Sequence, residues 1–277
     1  MKNIKRMYNN RLTILIHSCH KFSDLWAAHI KLLNKNWPNR NFRTIILTDA
    51  PEDIEFENVE IISAGVGLEI TDRIRHILPL IETEYVLVTL DDYFPIYPLH
   101  TQKIERLIDI MDYKGYDYIR LFPEPKCKLS PTDDQDIFTY TLDGEYRVNL
   151  YSGIWRKSLI EKTLSPKSLT AWEYEVSLTP MAAKYHAKCA MSKGAEFPIM
   201  DVVRKGKLLR PAARYLNKNN LYFGPRPIMS LREVIKLWIK TNGQRLLRHA
   251  PKPVFNSTRY FLMLMGMHSY GGKNIKS

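Results

Sequence analysis

The sequence predicts an α/β protein: a mostly parallel sheet flanked by helices, followed by a basic, partly helical C-terminal extension. Two observations carry this prediction. Apolar β-forming runs alternate with segments of helical apolar spacing from Leu12 onward, a βαβ rhythm that covers a parallel sheet on both faces. The charge then changes sign near Arg204: 25 Lys and Arg stand against 28 Asp and Glu before it, and 16 against the single acid Glu233 from there to Ser277. The net charge of +12 therefore belongs to the last quarter of the chain, a separate electrostatic unit of net +15.

The elements follow in order. Leu12 to Ser18 reads as a strand, and Ser23 is a plausible N-cap for the helical pattern behind it. Arg43 to Asp49 is a second buried strand and Val59 to Ala64 a short third. Ile70, Ile74, Ile77, Leu78 and Ile81 recur at helical spacing, and Tyr85 to Leu90 forms the next strand. A helix over Gln102 to Met111 and a strand over Tyr116 to Phe122 come next. The Pro-rich, acidic stretch from Pro123 to Asp136 is expected to be a surface loop. Glu145 to Arg156 alternates as a strand does, and Trp172 to Lys184 reads as a helix interrupted or kinked at Pro180.

Composition bounds the setting. With 277 residues, 45% of them hydrophobic, the chain is long enough for one folded α/β domain with an appendage. Cys19, Cys127 and Cys189 are odd in number and far apart, matching neither a disulfide framework nor a zinc site, so a reducing, cytoplasmic setting is expected. The apolar run Leu12 to Ile16 behind the basic N-terminus is too short for a signal peptide. No window approaches the roughly 20 apolar residues of a membrane span.

The chemistry concentrates in three groups. Val86 to Pro95, V-L-V-T-L-D-D-Y-F-P, ends a buried strand in Asp91 and Asp92. Adjacent carboxylates repel unless a cation, a basic side chain or a shared proton intervenes, and hard divalent ions bind one or two carboxylates together with substrate phosphates. Glu173 and Glu175, in W-E-Y-E, lie two apart on a helix and so point about 200° apart; they cannot share one role. A partly buried carboxylate beside aromatic walls suits a general base, whereas an acid in a first helical turn is also explained by the helix dipole. Arg73 can pair with a diphosphate or be an ordinary helix arginine, and His17, His20 and Asp49 follow strand ends where ligands collect.

The strand with L-D-D-Y-F, the step Trp155-Arg156-Lys157 and the later Trp172-Glu173-Tyr174-Glu175 together resemble GT-A glycosyltransferases of bacterial surface-polysaccharide (capsule or O-antigen) synthesis. The resemblance spans roughly Leu12 to Lys207. It implies a Rossmann-like GT-A catalytic domain over residues 1–207, with residues 208–277 as the extension. It also implies metal-dependent transfer from a nucleotide-diphosphate sugar, a UDP-sugar foremost, to a hydroxyl of a lipid-linked glycan; inversion is expected because a base placed opposite the leaving group suffices for a single displacement. A divalent cation, Mn²⁺ or Mg²⁺, would sit on Asp92 and Asp91; Asp91, Arg73, Asp49 and His17 would face the donor. Glu175 matches the base best and Glu173 second. Trp172, Tyr174 and Trp155 would meet the acceptor, although Trp172 and Tyr174 also suit a core. A strict D-x-D would need an acid at Tyr93 or Leu90, so the division of labour between Asp91 and Asp92 stays open.

In the extension, Leu231, Val234, Ile235, Trp238 and Leu246 fall on one helical arc bordered by Arg232, Lys236 and Lys240. This is the pattern of an interfacial anchor on an anionic membrane, here the inner face. The same residues also suit packing on the catalytic domain. A nucleic-acid-binding role for the basic region is the alternative; it lacks a reading motif, and the rest of the chain is slightly acidic.

Overall fold

The computed structural model describes residues 9–51, 53–194, 196–221, 224–237 and 239. The strands are β1 (Leu12–His17), β2 (Arg43–Thr48), β3 (Glu60–Ser63), β4 (Tyr85–Leu90), β5 (Tyr93–Pro95), β6 (Tyr118–Arg120), β7 (Ser130–Pro131), β8 (Ile137–Thr139), β9 (Gly153–Arg156), β10 (Cys189–Ser192), β11 (Ile199–Asp201), β12 (Val203–Arg204) and β13 (Lys207–Leu208). The helices are α1 (Ser23–Asn36), α2 (Ile70–Ile77), α3 (Thr101–Lys114), α4 (Lys157–Thr163), α5 (Ala171–Lys184) and α6 (Arg210–Lys218).

The main sheet has the order β3-β2-β1-β4-β9-β6-β10-β8-β7. Only β8 and β9 run against the other strands, so the sheet is mostly parallel, as expected from the βαβ rhythm. Alternate residues of the central strands feed opposite cores. Leu12, Ile14, Ile16, Tyr85 and Leu87 pack with α1 and α3, while Leu15, Val86 and Val88 pack with α2, α4 and α5. Burial on both faces is why these strands read as continuous apolar runs. A third cluster joins Leu25, Ala28 and Leu32 of α1 to Phe94, Val202, Leu208, Ala212 and Leu216.

Two expectations change. Glu145 to Arg156 is a strand only from Gly153. Tyr146 adopts φ 57°, and Asn149 Oδ1 accepts from the Tyr151 N–H at 3.0 Å, an Asx-type turn that competes with the ladder. The stretch 123–136 contains β7, which pairs with β8. Packing continues past the charge change near Arg204: α6 is docked on α1, and Arg226 then ties 224–229 back through both carboxylate oxygens of Asp24 at 2.7 and 2.6 Å. Beyond it, a helix over 231–237 opens with a capping box between Ser230 and Glu233. Trp238, Lys240 and Leu246 of the proposed amphipathic arc lie outside the described residues. Among those described, no helix is long and apolar enough to cross a membrane.

Candidate active site

In open α/β sheets, ligands bind beyond the carboxyl ends of the strands where the order reverses. Here β2 and β3 lie to one side of β1 and β4 to the other, so the reversal falls between β1 and β4. His17 is paired with Leu90 there, and the Asp91 N–H donates to the His17 carbonyl at 3.1 Å. Asp91 and Asp92 thus emerge at the switch point.

The two aspartates have different surroundings. The Asp91 carboxylate is buried and accepts a hydrogen bond from the Ser18 hydroxyl, itself held by the Trp26 indole N–H at 2.6 Å. Burial, and then the neighbouring Asp92, push its pKa well above the usual carboxylate range. The Asp91 carbonyl meets Nδ1 of the buried His29 at 2.9 Å. Asp91 is therefore an anchor of the turn. Asp92 is different: its Oδ1 is buried without a hydrogen-bond partner, and burial followed by the charge of Asp201 raises its pKa to about 7. Asp201 arrives from β11, opposite Tyr93 in the β5–β11 pairing, and the Val202 N–H donates to the Asp92 carbonyl at 3.0 Å. It is paired with Arg204 at 2.7 Å.

Glu175 approaches from α5. Its Oε1 accepts from the Leu150 N–H at 3.2 Å, and burial raises its pKa. Between it and the aspartates stand stacked rings: Tyr151 lies 5.1 Å from Tyr93 and 5.3 Å from Phe122. Tyr93 follows Asp92 directly and Tyr151 follows Leu150, whose N–H holds Glu175, so the stacked pair links the two carboxylates through neighbouring backbone; burial first, and also the charges of Tyr151, Asp92, Glu175 and Asp201, push the Tyr93 phenol up. Glu173, on the other side of α5, closes a capping box with Thr170, whose N–H donates to Glu173 Oε2 at 2.9 Å. That bond lowers its pKa, so Glu173 is a helix cap and does not join the cluster.

Other expected residues separate in the same way. His17 is buried, its pKa lowered to about 3 by burial and then by Arg73. Arg73 donates to the Leu68 carbonyl at 3.1 Å, and Asp49, directly after β2, accepts from the His20 N–H at 2.6 Å. Trp172 is 54% exposed and bonded to the Tyr146 side chain. Tyr174 and Trp155, expected at the acceptor, are instead 2% and 1% exposed. Strand alternation turns Trp155 into the core against Tyr118, ring centroids 4.6 Å apart, and Tyr174 fills the same cluster. Sequence reasoning missed Ser18, Tyr93, Tyr151, Asp201 and Arg204. The short M-D-V-V-R run at 200–204, an acid and a base three apart within apolar residues, is the local signal for Asp201 and Arg204.

The donor set suits a hard cation whose coordination is completed by water and phosphate oxygens. Asp92 offers an unpartnered oxygen and Asp201 a second carboxylate, while no group of three or more His, Cys, Asp or Glu able to hold a metal occurs among the described residues.

No family model matches the chain, and no curated protein does. Among solved structures it is similar to S. aureus TarS 1-349, at 15% identity and TM-score 0.46, covering 65% of this chain and 57% of that one. The same TarS fragment in complex with UDP-GlcNAc gives 16% identity and TM-score 0.44, over 65% and 55%. A putative nucleotide-diphospho-sugar transferase from Desulfovibrio desulfuricans G20 gives 11% identity and TM-score 0.41, over 65% and 78%. The chain thus spans little more than half of the TarS fragment.

Proposed function

We propose that this chain transfers a sugar from a nucleotide-diphosphate donor, a UDP-sugar foremost, to a hydroxyl of a lipid-linked glycan in bacterial surface-polysaccharide synthesis. The observation that carries the reading is the convergence, at the β1/β4 switch point, of Asp92 with an unpartnered oxygen and Glu175 with a raised pKa, joined by a stack of aromatic rings. Asp92, aided by Asp201, would hold a divalent cation, Mn²⁺ or Mg²⁺, which when bound neutralises charge on the departing diphosphate. His17, Arg73 and Asp49 would face the nucleotide.

Glu175 is the base. It takes the acceptor hydroxyl proton as the new glycosidic bond forms and the bond from the anomeric carbon to the diphosphate breaks. Attack from the face opposite the leaving group inverts the anomeric carbon. Asp91 does no chemistry; through Ser18 and His29 it fixes the turn that aims Asp92. The exposed Trp172 and the Tyr93–Tyr151 pair would meet the sugars. The basic C-terminal region would hold the enzyme at the cytoplasmic face of an anionic membrane, where such an acceptor lies.

The test is a panel of nucleotide sugars assayed for hydrolysis with Mn²⁺ or Mg²⁺, with and without chelator. One donor should turn over in a metal-dependent way. Asp92→Asn should abolish that dependence and most turnover, whereas Glu175→Gln should keep donor binding and lose transfer by about 10² to 10⁴-fold. Full turnover by Asp92→Asn under chelation would refute the metal role.

A further inference from the structure

We propose that Arg204 is a ligand of the donor diphosphate, parked on Asp201 until the donor enters; this rests on the nucleotide-sugar reading above. The local structure is built to present it. Arg204 ends β12 in a two-residue hairpin, Val203 opposite Leu208 and Arg204 opposite Lys207. Lys205 and Gly206 take φ 52° and 73°, the paired positive values of a type I′ turn, which matches the twist of the strands it joins. The hairpin follows directly from β11, fixed to the Asp92 turn by the Tyr93–Asp201 pairing and the Val202 to Asp92 hydrogen bond. Arg204 is thus anchored beside the aspartates by backbone rather than by a flexible loop.

Its guanidinium is only partly committed. Nε donates to Asp201 Oδ2 at 2.7 Å, and among the described residues its two terminal nitrogens make no hydrogen bond. The side chain is 43% exposed. Its charge reaches Asp92 and Tyr151, in both cases favouring the ionised form. Arg226 also influences Asp92 but is spent on Asp24 and the Lys21 carbonyl, its plane over the Phe22 ring. Arg73 stands on the β1 side with one terminal nitrogen on Leu68.

The chemistry also calls for such a group. A diphosphate approaching Asp92 and Asp201 meets two carboxylates, and a planar fork of N–H donors with a permanent charge offsets that repulsion while pairing two phosphate oxygens. Asp201 and Arg204 form a half-buried pair three residues apart, which holds the guanidinium beside the aspartates and leaves its two terminal nitrogens available to phosphate oxygens.

Isothermal titration of the chain, with Mn²⁺ present throughout, against UDP, GDP, ADP and CDP and the matching monophosphates decides this. Wild type, Arg204→Ala, Arg204→Lys and Lys205→Asn are compared, each checked for folding by its melting curve. Losing a bidentate charged contact should weaken diphosphate binding by about 10- to 100-fold in Arg204→Ala. Monophosphate binding should change by less than about threefold and Arg204→Lys should fall between, because a point charge replaces the fork. Lys205→Asn, which removes a charge from the same hairpin, should stay within about threefold of wild type in both titrations. Diphosphate affinity retained in Arg204→Ala, or equal loss for mono- and diphosphates, overturns the assignment of Arg204. Should Arg204→Ala not fold, Arg204→Lys with wild-type affinity for the diphosphate overturns it as well. Wild type that binds none of the diphosphates overturns the nucleotide-sugar reading itself.

Discussion

His29 sits behind the candidate site as a neutral ring. Its Nδ1–H donates to the Asp91 carbonyl, Nε2 is buried without a partner, and the ring packs edge-on against Phe94 at 5.3 Å. Burial lowers its pKa to about 4, against about 6.5 in an unfolded chain. The sign follows from proton counting. Below about pH 6.5 the unfolded chain binds a proton that the folded ring refuses, so stability falls as pH drops through that range and levels off near pH 4. Asp92 works in the opposite sense, because its raised pKa lets the folded state take up a proton first. His29 is therefore isolated by a difference. His29→Asn should be less stable than wild type at pH 7.5, and the gap should narrow by about 2 kcal/mol by pH 5, read from urea midpoints. A gap that stays constant would mean that the ring is not held neutral.

At the scale of elements, β9 is the antiparallel strand wedged between β4 and β6, and it depends on a missing side chain. A Cβ at Gly153 would lie 2.5 Å from Cε2 of Tyr118, a fully buried ring that leans on Trp155. Gly153→Ala should cost about 1 to 3 kcal/mol, seen as a lower urea midpoint with an unchanged slope; a wild-type midpoint would show that Tyr118 has room to shift. Local signals made the long elements legible. β1, β2 and β4 are apolar runs buried on both faces, and α2 carries isoleucines at 70, 74 and 77 on its buried side. The same signals failed where geometry is set from a distance. Tyr146 and Asn149 broke an alternating run, and β5 and β11, three residues each, are strands only because they pair with one another across the chain. The site divided along the same line. Asp91, Asp92 and Glu175 stood in recognisable local contexts, and the 200° between Glu173 and Glu175 already required them to part. Asp201 and Arg204 had no such context, since their role depends on β11 meeting β5.

For the whole molecule, the charge profile and the packing disagree about where the body ends, and the disagreement locates a surface. Packing continues past the charge boundary through α6 and the Arg226 clasp. After that clasp, Leu231 and Ile235 are 62% and 57% exposed one turn apart, near the exposed Ile228, with Arg232 and Lys236 also exposed among them. A basic helix that leaves apolar side chains in water suits the interface of an anionic bilayer, and basic residues there contribute on the order of 1 kcal/mol each before screening. The full-length chain should therefore sediment with phosphatidylglycerol-containing vesicles and not with phosphatidylcholine alone. Raising the salt should weaken that binding by at least about tenfold as the screening length falls from roughly 10 to 3 Å. Leu231→Ser combined with Ile235→Ser should reduce it further at fixed salt, because these changes remove the apolar contact and leave the charge unaltered. Sedimentation insensitive to salt and to the double substitution would rule out this face. Tight, salt-sensitive binding to duplex DNA without vesicle binding would instead assign the basic region to nucleic acid.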